Sequence, residues 1–132
     1  MIKNLMIPVC GLKYSQKAIE FGIELAYKID ADIIAVYILD ENKSDSYDSL
    51  EDEGNEILAN ITKKANEKGV KVLEHLITGN PLRDMKIIAI RTNADGIIVH
   101  IHGRDESEKE TVGSVTNLII KTFEIPIILI KD

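Results

Sequence analysis

The chain has 132 residues, 45% hydrophobic and 29% charged, with a formal charge of −6; this suits one domain over residues 1–132 with a core of its own. Its Lys and Arg are scattered with no basic stripe, which excludes nucleic acid as the main partner, and no apolar run reaches the ~20 residues of a membrane helix. The single Cys10 excludes an internal disulfide framework and fits a reducing, cytoplasmic setting.

The opening run Met1–Cys10 is briefly apolar, is broken by Pro8 and is followed by no small-residue cleavage site. It reads as structure, not as a secretion signal. Ile2 to Val9, bounded by Gly11, predicts a buried first strand. From Ser15 to Ile29 the positions Ile19, Gly22, Ile23, Ala26 and Ile29 repeat at three and four, which marks an amphipathic helix. Asp32 to Leu39 is almost continuously apolar, as in a strand covered on both faces. Asp40 to Ser49 is polar and acidic and predicts a mobile loop. A second helix runs from Leu50 to Lys68, its acidic start Glu51-Asp52-Glu53 complementing the helix dipole and Gly69 stopping it. Val70 to Thr78 is the third strand; Gly79-Asn80-Pro81 turns into a third helix, Leu82 to Arg91, with Pro81 in its first turn. Gly96 to Ile101 is the fourth strand, Ser114 to Phe123 the fourth helix, and Ile125 to Ile130 the last strand. Alternating strands and helices predict a doubly wound α/β domain with five parallel strands, helices on both faces and right-handed crossovers.

In such sheets ligands bind beyond the carboxyl ends of the strands, where the strand order reverses. With the order 3-2-1-4-5, that point lies between strands one and four, beside the loops after Val9 and His100. The run Val99-His100-Ile101-His102-Gly103-Arg104, followed by Gly113-Ser114-Val115-Thr116, has the strand, glycine loop and helix start that hold phosphate through backbone N–H groups. Ser114 and Thr116 also suit capping of the fourth helix. Arg104 and Lys109 either meet phosphate or solvate the loop. His100 and His102 alternate and so point to one side. Only the acidic run Asp105, Glu106, Glu108 and Glu110 stands near them, and no metal site is assigned. No nucleophile–base pair stands out, so no catalytic residue is assigned.

Several of these residues together resemble the universal stress protein family, over nearly the whole chain. Ile7-Pro8-Val9 with Tyr14-Ser15 and Ala18 matches the family's opening strand and helix. Ala31-Asp32-Ile33 and Ala94-Asp95-Gly96-Ile97-Ile98-Val99 match its small–Asp–apolar strand starts, and Gly79-Asn80-Pro81 its Gly-x-Pro turn. His102-Gly103-Arg104 and Gly113-Ser114-Val115 match its nucleotide loop, and Pro126 precedes a last apolar strand. The ATP-binding branch carries Gly-x2-Gly-x9-Gly-Ser/Thr. Here Gly103 and Gly113 hold the second and third places with Ser114 after them, while His100 replaces the first glycine. Cys10 stands in place of the family's acidic residue at the end of strand one, and Leu12 in place of its small polar residue.

The resemblance implies an adenine nucleotide alpha hydrolase-like fold and a cytoplasmic, ATP-binding regulator. Adenine would rest on Pro8, Val9 and Ile38, with phosphates over Gly103, Gly113, Ser114 and Thr116 and Mg²⁺ accompanying them. Cys10, Val99, His100, His102, Arg104 and Val115 complete the implied ligand-binding set. Loss of a charged hydrogen bond at Cys10 costs about 1.5–3 kcal/mol, and an imidazole at His100 crowds the nucleotide or contacts its phosphates. The reading is of a site kept in outline and retuned in detail, with at most slow ATP hydrolysis because no base or arginine finger is evident. The resemblance also implies a homodimer through the apolar strand Pro126–Ile130 and an unidentified protein partner. Two alternatives stay open: a nucleotide-independent homodimeric signalling module, and an enzyme acting on adenylates through a lid at Asp40–Ser49 or His100–Val112.

Overall fold

The computed structural model describes residues 1–10, 16–40, 47–101 and 109–131. Strands and helices alternate as β1 (Asn4–Cys10), α1 (Gln16–Ile29), β2 (Asp32–Asp40), α2 (Tyr47–Glu67), β3 (Val72–Gly79), α3 (Pro81–Arg91), β4 (Gly96–Ile101), α4 (Lys109–Thr122) and β5 (Ile127–Lys131). All strand pairs are parallel, and the order is β3-β2-β1-β4-β5, as the alternation predicts. β1 is the central strand; β3 and β5 are the edges.

Side chains alternate across the sheet and build two core layers. Leu5, Ile7 and Val9 of β1 join Ile33, Ala35, Tyr37 and Leu39 of β2 and Ile98 of β4 under α1 and α2. Met6, Ile34, Val36, Ile38, Ile97 and Val99 form the opposite layer with Met85, Ile88 and Ala89 of α3 and Ile119 of α4. Ile33 to Leu39 are all buried, because helices cover β2 on both faces. Gly22 lets α1 approach the sheet closely: a Cβ there would lie 2.7 Å from Ile7 Cδ1 and 3.1 Å from Ile98 Cδ1.

The amino ends of β1 and β4 are tied by Asp95. Its carboxylate accepts from Lys3 N at 3.0 and 2.9 Å and from Asn4 N at 2.8 Å, and Asn4 Nδ2 donates to the Asn93 carbonyl at 3.1 Å. Pairing between these strands covers Leu5↔Gly96 and Met6↔Ile97, whereas β1 and β2 stay in register from Asn4↔Asp32 to Cys10↔Ile38.

Two helix starts differ from the sequence reading by more than one residue. α2 begins at Tyr47, inside the segment expected to be a mobile loop; acidic residues, here Asp48 and Glu51, favour helix formation near an N-terminus. Residues 41–46 of that segment lie outside the described residues. α4 begins at Lys109 and not at Ser114, so Gly113 lies within the helix. Lys109 and Glu110 are good helix formers, and an interior glycine costs only about 1 kcal/mol relative to alanine. Strand bounds shift by one or two residues: β1 reaches Cys10, β3 runs from Val72, and β5 starts after Pro126.

Candidate functional site

The carboxyl ends of β1, β2 and β4 carry the first group of sequence-predicted residues. Pro8 is half-buried, and Val9 is packed into the layer beneath α1 and α2. Ile38 and Val99 are buried in the other layer, against α3 and α4. Val9 and Ile38 therefore do not share a face of the sheet. Both side chains are committed to the core, so what they present above the strands is backbone. Cys10 ends β1 opposite Ile38, and His100 is half-buried near the end of β4, opposite Ile130 of β5.

The second group lies on the β4–α4 connection. His102, Gly103 and Arg104 lie outside the described residues. Gly113, Ser114, Val115 and Thr116 lie along α4, inward from its start at Lys109. Ser114 and Thr116 thus do not stand at the helix start that the sequence reading gave them, and the first-turn N–H groups belong to Lys109 and the residues that follow it. Anions are favoured near those groups, not in a helix interior. Thr116 is 8% exposed and is the one buried polar residue among the described residues, facing inward beside Ile119.

The neighbouring carboxyl ends of β1 and β4 bring residues of the first group together. Their backbone ladder pairs Leu5↔Gly96 and Met6↔Ile97 and ends there, with Pro8, Val9 and Cys10 following on β1 and Val99 and His100 on β4. β1 and β4 flank the point where the strand order reverses.

Sequence reasoning missed the chemistry at the neighbouring β2–β3 end. Asp40, the last residue of β2, pairs with Gly79. Beside Gly79, Asn80 caps α3 through its Oδ1, which accepts from Leu82 N at 2.9 Å and Arg83 N at 3.3 Å. The Asp84 carboxylate accepts from Asn80 N at 2.9 Å and from the Arg83 guanidinium at 2.9 and 2.8 Å. The Arg83 hydrogen bonds, with the Asn80 N–H behind them, hold the Asp84 carboxyl down to about 2. The available signal was an Asn before a helix-starting proline with an acid four residues on, a reciprocal cap in which each end bonds the other.

Among the described residues, no group of three His, Cys, Asp or Glu converges as metal ligands, and no helix is long and apolar enough to cross a membrane.

The fold and sequence have clear relatives. Universal stress protein MJ0531 of Methanocaldococcus jannaschii is 28% identical over 141 residues, spanning 99% of this chain and 83% of that protein. The universal stress protein UspA of Lactobacillus plantarum superposes with a TM-score of 0.82 at 16% identity, covering 98% of this chain and 97% of that one. A universal stress protein of Archaeoglobus fulgidus in complex with dAMP superposes with a TM-score of 0.75 at 24% identity, covering 99% of this chain and all of that one. The universal stress protein family matches residues 1–131. The chain belongs to the universal stress protein family.

Proposed function

We propose that this chain is a cytoplasmic regulator that binds an adenine nucleotide, ATP with Mg²⁺, at the carboxyl ends of β1 and β4, and that it is not an enzyme beyond at most slow ATP hydrolysis. The observation that carries this reading is the end of the β1–β4 ladder at Met6↔Ile97, which falls at the switch of strand order. The dAMP-bound relative from Archaeoglobus fulgidus, of the same fold, supports an adenine nucleotide as the ligand. On this reading the base lies over the ends of β1 and β2 near Pro8, Val9, Cys10 and Ile38. The phosphates lie toward Val99, His100, His102, Gly103, Arg104 and the α4 residues Gly113, Ser114, Val115 and Thr116.

A homodimer through β5 accompanies this reading. β5 is an edge strand, and Leu129 on it is 43% exposed. Lys17 Nζ donates to the Lys131 carbonyl at 2.8 Å, which sets the α1 flank bearing exposed Phe21 beside this edge. An apolar edge of this kind is a template for a second copy.

A second reading, a homodimeric signalling module that binds no nucleotide, draws on two observations. Gly113 and Ser114 lie inside α4, and Cys10 ends β1 where the family carries an acid.

The deciding experiment is to denature freshly purified protein, look for released nucleotide by chromatography, and then titrate Mg-ATP calorimetrically. Carried-over nucleotide or a micromolar dissociation constant is expected. No binding by the wild type, restored by Cys10→Asp with His100→Gly, would establish the second reading.

A further inference from the structure

We infer that Pro8 is what ends the backbone ladder between β1 and β4, and so leaves the Ile98 carbonyl without its donor from β1, because proline denies the sheet the N–H that would continue the pairing. Hydrogen-bond directions settle which neighbour each residue faces. The Asn4 carbonyl accepts from Asp95 N at 3.0 Å, on the β4 side, and the Lys3 carbonyl accepts from Asp32 N at 2.8 Å, on the β2 side. These directions alternate along a strand. Asn4, Met6 and Pro8 therefore turn their backbone groups to β4, and Leu5, Ile7 and Val9 turn theirs to β2. On β4, Ile97 N donates to the Pro126 carbonyl at 3.0 Å, toward β5, so Gly96, Ile98 and His100 face β1.

A ladder continuing past Met6↔Ile97 needs an N–H at position 8 to reach the Ile98 carbonyl. Proline has none. The β1–β4 pairing stops at that step, while the β1–β2 register passes Pro8 undisturbed, through Pro8↔Val36 to Cys10↔Ile38, because Pro8 faces away from β2. Proline is ordinarily confined to edge strands, strand starts and bulges. Here it sits inside the central strand, at a position whose missing donor faces β4 near the carboxyl end of the sheet. Pro8 is thus a positioning residue: it sets where the β1–β4 ladder ends, and with it the backbone groups presented at the switch of strand order, whether or not its ring touches the ligand. Its effect on affinity rests on the nucleotide reading; its effect on the ladder does not.

The test uses the full chain with Pro8→Ala and, as a second variant, Pro8→Val, a better strand former. Each is expected to show a through-hydrogen-bond coupling from the residue 8 nitrogen to the Ile98 carbonyl carbon. Its residue 8 amide should exchange about a hundredfold slower than an unstructured amide. Mg-ATP affinity should fall about tenfold against the wild type. A residue 8 amide that exchanges at the free rate in a folded variant overturns the inference, and so does a formed ladder with wild-type affinity. Failure of both variants to fold overturns it too, since closing the ladder adds a bond to the sheet. A wild type that binds no Mg-ATP sinks the nucleotide reading alone, and the coupling and exchange rate then decide the role of Pro8 by themselves.

Discussion

The carboxylate of Asp84 fills the space that a side chain on Gly79 would need. Because that carboxylate is also fixed by Asn80 N and by Arg83, a Cβ at position 79 cannot be absorbed by swinging it aside without breaking those contacts. Gly79→Ala is therefore expected to lower the melting temperature and to move the Asp84 carboxyl from about 2 back toward its ordinary value of 3.8. Carboxyl chemical shifts followed through an NMR pH titration read both ends of that change. A carboxyl that still titrates near 2 in the variant would refute the contact.

Asp84 also sets a pH dependence whose sign is determined. Its carboxyl titrates lower in the folded chain than in the unfolded one. The stability it contributes is complete above 3.8 and is lost as the pH falls through about 2. In Asp84→Asn that increment is missing at neutral pH, and the slope of stability against pH between those values flattens. Urea melts at a series of acid pH values measure it; a wild-type slope in the variant would exclude Asp84 as its source.

Asp95 holds the amino end of β4 to the amino end of β1 with three contacts from two backbone N–H groups. Asp95→Ala leaves Asn4 N without this acceptor at a part-buried position. The expected cost is about 2 kcal/mol, the range for hydrogen bonds to a charged group. Asp95→Asn, which keeps one acceptor oxygen, is expected to fall between the two. Equilibrium urea unfolding orders the three proteins, and equal stabilities would remove Asp95 from the account of how β1 and β4 are joined.

Leu129 is the residue to charge at the β5 edge. A lysine on an edge strand blocks pairing with a second chain, and Leu129 is exposed enough that the substitution spares the core. Light scattering is expected to give a dimer for the wild type and a monomer for Leu129→Lys. A variant that remains dimeric places the subunit contact elsewhere.

The sheet was legible in the sequence because β2, β4 and the start of β1 are runs of apolar residues that only a strand buried on both faces would carry, and the helices between them repeat at three and four. The start of α4 was not. Gly113 suggests the boundary, but a single glycine is too weak a stop when Lys109 and Glu110 before it favour helix. The start of α2 was obscured in the same way by the polar character of Tyr47 to Ser49. For the candidate site, the predicted strand order brings the carboxyl ends of β1 and β4 side by side, since the two strands are neighbours in the sheet. The sequence could not show that Val9 and Ile38 pack on opposite faces, which depends on register and not on either residue. Nor did it assign a role to Asp84, whose environment exists only once Asn80 has capped α3.

A sheet that forgoes a backbone bond at its centre is less stable than its own topology allows. Natural proteins rarely sit at their stability optimum, and the shortfall concentrates where activity requires an opening or strain. In this fold the shortfall has an address, the single step between Met6 and Pro8 on the face of β1 turned to β4. If Pro8 serves the proposed nucleotide site, thermal robustness and ligand capture compete at one residue, and selection for heat resistance alone would work against binding.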